Sequence, residues 1–290
     1  MNNPNPEVKI SVVTALYNCL DLTKAYLNSL EHTCYGRDME VILVDDGSTD
    51  GTREFLQSLN GDRYRIILQD DNKGYAAANN VGAQASSGDY IVFLNNDVIL
   101  LAGWLEAMLA AIKHLPEAGL IGNIQINARN GLVDHCGVFF DWNGLPRQAG
   151  KNRKALPSES YTEWNAVTAA CFLMRRKDFL DLGGFDEAYL NGMEDIDLCV
   201  RARLAGHRIY TANRSHLYHH VSSSPGRLLH NDANTRLFAD KWQSLTRSWG
   251  EREWPRQYLR RYGRHWWRIN AGRAWRAWRL IKAETKNAAF

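Results

Sequence analysis

The sequence predicts an α/β protein: one domain with a mainly parallel central sheet flanked by helices, followed by a C-terminal helical extension. Three observations carry this. Short apolar runs rich in β-branched residues, at 8–14, 40–44, 65–68 and 90–94, alternate with stretches of helical spacing, and no hairpin signal lies between them. Successive runs stop on polar tips, Tyr17-Asn18, Asp46 and Asn95-Asn96-Asp97, which right-handed crossovers gather at one sheet edge. Arginines crowd beside tryptophans from Arg247 onward, which sets the end of the chain apart as basic. The boundary falls at 230, giving a domain at 1–230 and a helical extension at 231–290.

A chain of 290 residues can bury a sizeable core and still carry an appendage. Its 45% hydrophobic and 23% charged content is ordinary for a globular protein. No run of about 20 apolar residues occurs, so no membrane span is expected. Residues 1–6 are polar and lead straight into a strand, without the pattern of a secretory signal. The five cysteines (Cys19, Cys34, Cys136, Cys171, Cys199) are scattered without metal-ligand spacing. Together these point to reduced thiols and a cytoplasmic location. The net charge of +3 averages an acidic first part with the basic tail.

In order, the strand at 8–14 leads to a helix at 21–31 with Leu22, Leu27 and Leu30 at helical spacing. The strand at 40–44 ends on Asp45-Asp46-Gly47, and Ser48, Thr49 and Asp50 are N-cap candidates for a helix to about 59. A strand at 65–68 precedes Asn72-Lys73-Gly74-Tyr75, which opens an alanine-rich helix to about 85. The strand at 90–94 is followed by a helix at 101–114, and 119–126 and 133–140 read as strands. Residues 143–160 are polar, basic and rich in Gly and Pro, hence a surface loop. A strand at 164–174 returns to the core. Arg175 and Arg176 head a short helix, and Asn191-Gly192-Met193-Glu194-Asp195-Ile196-Asp197-Leu198 opens a longer one to about Ala205, with Ile196, Cys199, Val200 and Leu204 as its buried stripe, closed by Gly206. A last strand at 208–211 precedes a Ser-rich loop holding His219 and His220.

The polar tips are the candidate site. A carboxylate leaving a core strand, as Asp97 does, can hold a hard cation and through it a diphosphate; it can equally cap the next helix. Asp45, Asp46 and Gly47 suit a tight turn as well as a ligand. Glu194 and Asp195 stand in a first helical turn, where the dipole favours anions whatever their role. Three tips on one sheet edge, however, form a pocket.

Val-Val-Thr-Ala-Leu-Tyr-Asn18, Val-Asp-Asp-Gly-Ser-Thr-Asp-Gly51, Asn-Lys-Gly-Tyr-Ala-Ala-Ala-Asn-Asn80, Phe-Leu-Asn-Asn-Asp97 and Gly-Met-Glu-Asp-Ile-Asp-Leu198 resemble, in order and spacing, the serial motifs of family 2 glycosyltransferases over residues 8–225. The likeness is strongest to bacterial cell-surface polysaccharide enzymes of the rhamnosyltransferase type. It implies a GT-A fold, a UDP- or dTDP-sugar donor, a divalent cation and inversion at the anomeric carbon. It further implies that Ala15 and Tyr17 border the nucleobase and that Asp46 accepts from the pyrimidine imide. Lys73, Gly74, Asn79 and Asn96 would lie near the nucleotide-sugar, Asp97 and His219 would bind the metal, and Asp195 would be the base. Glu194 is the alternative base, His220 the alternative ligand, and Asp197 is expected to orient its neighbours.

Asn95 departs from the family pattern, in which many relatives carry a second acid. The cation is therefore expected to bind together with the donor diphosphate, and a histidine ligand favours Mn2+ over Mg2+. The loop at 221–227, with Arg227, is placed to close over the donor. A sugar-1-phosphate nucleotidyltransferase would want a Gly-rich basic loop after the first strand, which Ala15-Leu16-Tyr17-Asn18 is not. A non-catalytic nucleotide-sugar-binding partner in an assembly complex is the other alternative; intact Asp97 and Asp195 oppose it. A dehydrogenase would need G-x-G-x-x-G.

The tail is expected to hold a helix over 233–249 and a second over 258–282, on which Trp267, Ala271, Ala274, Trp278 and Ile281 share a stripe flanked by arginines. Arg and Trp so arranged suit an anionic membrane surface through 255–283, fitting a glycan or lipid-linked glycan acceptor. Packing on the domain or a homodimer contact ranks next, and no nucleic acid partner is expected.

Overall fold

β1 (Ile10–Leu16) is buried along nearly its whole length, as a strand covered by helices on both faces must be. It is followed by α1 (Leu20–Thr33), β2 (Met39–Asp46), α2 (Thr52–Gln57), β3 (Tyr64–Gln69), α3 (Tyr75–Ala85) and β4 (Tyr90–Leu94). The computed structural model describes residues 8–287 apart from 35, 60, 221–228, 263–266 and 268. The 221–227 loop with Arg227, and Trp266 of the tail, lie outside the described residues. β4, β1, β2 and β3 are neighbours in that order and all parallel, as the alternation predicts. The N-cap of α2 is Gly51 and none of the three candidates, but Asp50 just before it holds both helix starts: its Oδ1 accepts the Thr52 N–H at 3.1 Å and its Oδ2 the Leu20 N–H at 3.0 Å. One carboxylate thus closes the starts of α2 and α1 and draws two strand tips together.

The chain continues through β5 (Val98–Leu100), α4 (Trp104–His114), β6 (Ala118–Asn127), β7 (Val133–His135), β8 (Val138–Phe140), β9 (Pro146–Gln148), β10 (Tyr161–Trp164), β11 (Cys171–Arg175), α5 (Arg176–Asp181), α6 (Glu194–Leu204) and β12 (Arg208–His219). The central sheet runs β10-β12-β6-β11-β4-β1-β2-β3, with β5 on β12 and β7 on β6; β8 and β9 form a separate ribbon. β12 lies parallel to β6, whereas β11 is antiparallel to both β4 and β6. On one face α1 and α4 bury Tyr26, Leu30, Trp104 and Met108 against Leu43 and Val92. On the other, α3, α5 and α6 bury Ala76, Phe179, Ile196 and Val200 against Phe93 and Phe172. Gly82 lets α3 ride close to the sheet, since a Cβ there would come within 2.5 Å of Val13 Cγ1.

Several expectations are corrected here. Residues 101–103 do not begin α4, because 98–100 first pair with β12. The expected strand over 133–140 is split between β7 and β8, and the loop at 143–160 contains β9. The expected strand over 164–174 is two strands, broken at 165–170, where Ala166 bridges to Val138 of β8 and the Ala169 N–H turns to Asp195. The last strand does not stop at 211: β12 reaches His219 through a bulge, with the His216 ring on the Asn213 carbonyl at 2.8 Å.

α7 (Asn231–Tyr262) and α8 (Ala271–Asn287) form the tail. The start of α7 belongs to the main core: Phe238 is buried and stacks on Phe140, with ring centroids 6.1 Å apart. The Trp242 indole donates to buried Asp197 at 2.6 Å, and Arg201 Nε to the same carboxylate at 2.7 Å, so Asp197 ties α6 to α7. Gly250 lets α7 lie on the turn after β8, where a Cβ would meet the Asp141 carbonyl oxygen at 1.9 Å. Contrary to the expected break, α7 runs through Pro255. One helix bond is lost there, and the packing of Trp254 and Tyr258 on either side offsets it. On α8 Ala277 is fully buried, while Trp275 (59%) and Trp278 (55%) are exposed, as is Trp267 (64%), which precedes the helix. Among the described residues no helix is long and apolar enough to cross a membrane.

Glu253, on α7, is held by the Asn165 side-chain amide. Burial raises its carboxyl to about 7, the opposing Arg203 charge lowering it less. A carboxyl whose pKa is raised by folding holds its proton more readily in the folded chain, so its stabilising share is whole below the unfolded value and is lost as pH rises through about 7. We therefore expect the melting temperature to fall between pH 5 and 8 on the order of 3 kcal/mol of stability, and Glu253→Gln to flatten that slope. Equal slopes in thermal melts of the two proteins would refute this.

Candidate active site

The carboxyl ends of β1, β2 and β4 open on a cleft of about 820 Å³. Ala15, Tyr17, Asp46, Asn96, Asp97 and Asp195 all line it, so residues named from distant stretches meet in one place. Lys73 and Gly74 stand behind this wall: their N–H groups donate to the two oxygens of Asp46 at 2.8 and 2.9 Å. Burial nonetheless raises the Asp46 carboxyl above its ordinary value, the two N–H bonds lowering it less. Asn79 is fully buried inside α3, its amide donating to the Tyr75 carbonyl at 2.9 Å, and is not part of the lining. Asn96 donates to Thr23 Oγ1 at 3.0 Å and so pins the β4 tip to α1.

His219 stands behind Asp97 and is not itself part of the cleft lining. The antiparallel pairing of Val98 with His219, and the His220 N–H on the Asp97 carbonyl at 2.8 Å, force the two side chains together. His219 Nε2 lies 3.3 Å from Asp97 Oδ1, both are buried, and neither makes a hydrogen bond. The facing oxygen and nitrogen have no other partner, an arrangement that is costly unless a proton or an ion sits between them. Cis ligands of a six-coordinate ion with bonds of about 2.1 Å stand about 3 Å apart, so the pair fits a divalent cation. Among the described residues no group of three or more His, Cys, Asp or Glu is placed to hold a metal. These two would therefore share the ion with oxygens of a ligand.

Asp195 is set by the break at 165–170. Its Oδ2 accepts the Ala169 N–H at 3.0 Å, and its Oδ1 the Ile196 N–H at 2.8 Å. The Ala169 carbonyl accepts from the Tyr75 hydroxyl at 3.0 Å, and the Ala170 carbonyl from the Asn95 N–H at 3.1 Å. Asn191 Oδ1 accepts the Tyr75 N–H at 3.0 Å, closing the ring of contacts between α3 and the turn before α6. Glu194 Oε2 is engaged by the Gly192 N–H at 2.6 Å, while also lining the cleft.

The sequence reading missed several lining residues. His135, on β7, is 2% exposed, and the Gly137 N–H donates to its Nδ1 at 3.3 Å. That bond fixes the neutral tautomer, with the proton on Nε2. Burial, with lesser contributions from His219 and Lys151, depresses the ring to about 3. Nε2 is buried without a partner. Trp142, Arg147 and Gln148 near the β8–β9 ribbon, Tyr258 and Tyr262 on α7, and Arg273 on α8 also line the cleft. Three-residue strands carry no readable period, and helix docking leaves no local signal, so neither group was recoverable.

With this geometry in hand, comparison with known proteins is direct. The sequence profile of "Glycosyl transferase family 2" matches residues 11–183, and that of "N-terminal domain of galactosyltransferase" matches 154–222. The O-antigen biosynthesis protein RfbC of Myxococcus xanthus is 31% identical over 74% of this chain, which spans 18% of RfbC. An uncharacterised protein of Sinorhizobium fredii is 32% identical over 75% of the chain, which spans 25% of it. The N-acetylglucosaminyl-diphospho-decaprenol L-rhamnosyltransferase of Mycobacterium tuberculosis is 30% identical, covering 66% of this chain and 69% of its own. Among solved structures, the mannosyltransferase PcManGT of Pyrobaculum calidifontis with GDP-Man and Mn2+ superposes with a TM-score of 0.60 at 16% identity, over 99% of this chain and 82% of that one. GalNAc-T7 with UDP, GalNAc and Mn2+ gives 0.63 at 16% identity, over 87% and 51%. These likenesses agree with the GT-A-type architecture, and the profile match over more than half its length shows that the chain belongs to glycosyl transferase family 2.

Proposed function

We propose that the protein transfers a glycosyl group, with inversion, from a UDP- or dTDP-sugar to a glycan acceptor in cell-surface polysaccharide synthesis. The observation that carries this reading is that Asp97, with His219 behind it, and Asp195 line one cleft. Asp97 and His219 would hold a divalent cation, Mn2+ in preference to Mg2+ because imidazole suits softer ions. A cation so held supplies positive charge that neutralises the departing nucleoside diphosphate. Asp195 takes the proton of the acceptor hydroxyl as it attacks, positioned for this by the Ala169 and Ile196 N–H groups. Ala15, Tyr17 and Asp46 border the nucleobase. The Lys73–Gly74 turn, Asn79 and Asn96 support that wall from behind or beside it. Neutral His135, with its Nε2–H unpartnered, donates to a ligand oxygen beside the metal pair.

The names of the relatives support a lipid-diphosphate-linked acceptor and a deoxyhexose donor. Docking at the inner face of the cell membrane fits the tail: Trp267, Trp275 and Trp278 are exposed, with Arg279 and Lys282 over the last two rings.

A panel of nucleotide-sugars with Mn2+, read by nucleoside diphosphate release, identifies the donor. Asp97→Ala is expected to abolish turnover. Asp195→Asn should lower kcat about 100-fold or more and leave donor affinity nearly intact by calorimetry; donor binding lost only in Asp195→Asn would reverse the two roles. His135→Phe should keep the fold and cut turnover about tenfold, and unchanged turnover would assign His135 to the core alone. In vesicle flotation, the protein should rise with anionic liposomes and Trp275→Ser/Trp278→Ser should not; a protein that ignores such liposomes refutes membrane docking.

A further inference from the structure

Part of the cleft wall is basic and carries none of the roles above. α7 brings Trp254, Tyr258 and Tyr262 to it at one-turn spacing, with successive ring centroids 5.1 and 4.9 Å apart. Trp142, beyond β8, meets Trp254 edge-on at 4.5 Å. The guanidinium groups of Arg273 and Arg276, in the first turns of α8, both sit over the Trp142 ring, at 5.5 and 5.3 Å from its centroid. Two like charges three residues apart on a helix repel. The ring face relieves this in part by its quadrupole. No acid pairs with either arginine among the described residues. Asp141, next to Trp142, is committed: its carboxylate accepts from Arg147 and from the Asn143 and Leu145 N–H groups. The arrangement is a fixed pair of cations, oriented by an aromatic face and lacking a counter-ion, with Arg273 on the cleft itself.

We propose that Arg273 and Arg276 on Trp142 form the anion subsite of the acceptor, taking the phosphate through which a phosphate-linked glycan is joined to its carrier. This rests on the glycosyl-transfer reading and adds to it the place of the acceptor's charged end. Guanidinium forks match phosphate oxygens, and holding them on a ring reduces the freedom lost on binding. The rest of α8 agrees with this use. At about 100° per residue, Trp275, Trp278 and Lys282 point roughly opposite Arg273, with Ala277 packed between. The helix therefore stands between the cleft and an exposed aromatic face, and a carrier lying under that face would present its phosphate at the arginines.

The probe is octyl diphosphate, below its micelle concentration, titrated into the full chain and followed by tryptophan fluorescence. Arg273→Gln/Arg276→Gln should bind it about tenfold or more weakly, whereas Asp97→Asn should bind it as the wild type does. Nucleoside diphosphate binding with Mn2+, measured on the same samples, tests the underlying reading separately and is expected to be unchanged in the arginine variant. Equal octyl diphosphate affinity in wild type and the arginine variant overturns the subsite. So does a loss that follows Asp97→Asn instead, which would put the probe in the donor site. A variant that keeps its octyl diphosphate affinity but no longer floats with anionic vesicles makes these arginines lipid-headgroup contacts, and equally overturns it.

Discussion

A buried carboxylate and a buried imidazole held 3.3 Å apart, with no hydrogen bond to either facing atom, are the constraint on which the rest of this structure depends. Left alone, two such groups would move apart or take partners, because an unsatisfied buried polar atom costs about 1–3 kcal/mol. Here the backbone forbids it. β5 turns back from the β4 tip to pair with β12, and the His220 N–H closes on the Asp97 carbonyl. The side chains are placed by main-chain bonds that exist whether or not a ligand is present. This is preorganisation in the physical sense: the cost of bringing the two side chains together is met on folding.

Among the acids of the cleft, Asp97 differs from the others in its partners. Both oxygens of Asp46 accept backbone N–H groups, as do both of Asp195, and Asp141 is paired with Arg147. Each of these carboxylates has its charge spread over fixed donors. Asp97 Oδ1 has none. Several acids converging on one cleft would repel if all were bare; the fold compensates those that shape the site and leaves open the one that faces the histidine.

How much of this the chain revealed follows from how locally each feature is determined. Asp46 and Asp97 could be read because a buried strand ending on a polar residue is a pattern within a few positions, and parallel crossovers carry such ends to one edge. Asp195 was visible as an acid in a first helical turn, though its place beside Ala169 depends on a strand break inside 164–174 that carries no turn signal. His219 was read into a loop, because Asn213 and Ser215 interrupt the strand pattern at the bulge. His135 sits on a strand too short for periodicity, and its missing partner is a fact of three dimensions. The tail was the least legible. Its tryptophans and arginines were plain, but which face of α8 would be covered depends on the ring cluster that Trp142 supplies from the other end of the fold.

That last dependence bears on what the C-terminal helices are. A segment added only for attachment would need its own core and few ties to the domain. α7 instead shares Phe238 with the main core, takes a buried carboxylate from α6 through Trp242, and lies so close to the β8 turn that only glycine fits at 250. It continues through Pro255 because the rings on either side of the proline are held by Trp142. Moving α8 would therefore move Arg273, Tyr258 and Trp142, which are cleft wall. Whatever presses on the exposed tryptophans of α8 acts on the wall of the cleft behind it, and the physical link between surface and cleft is one helix thick.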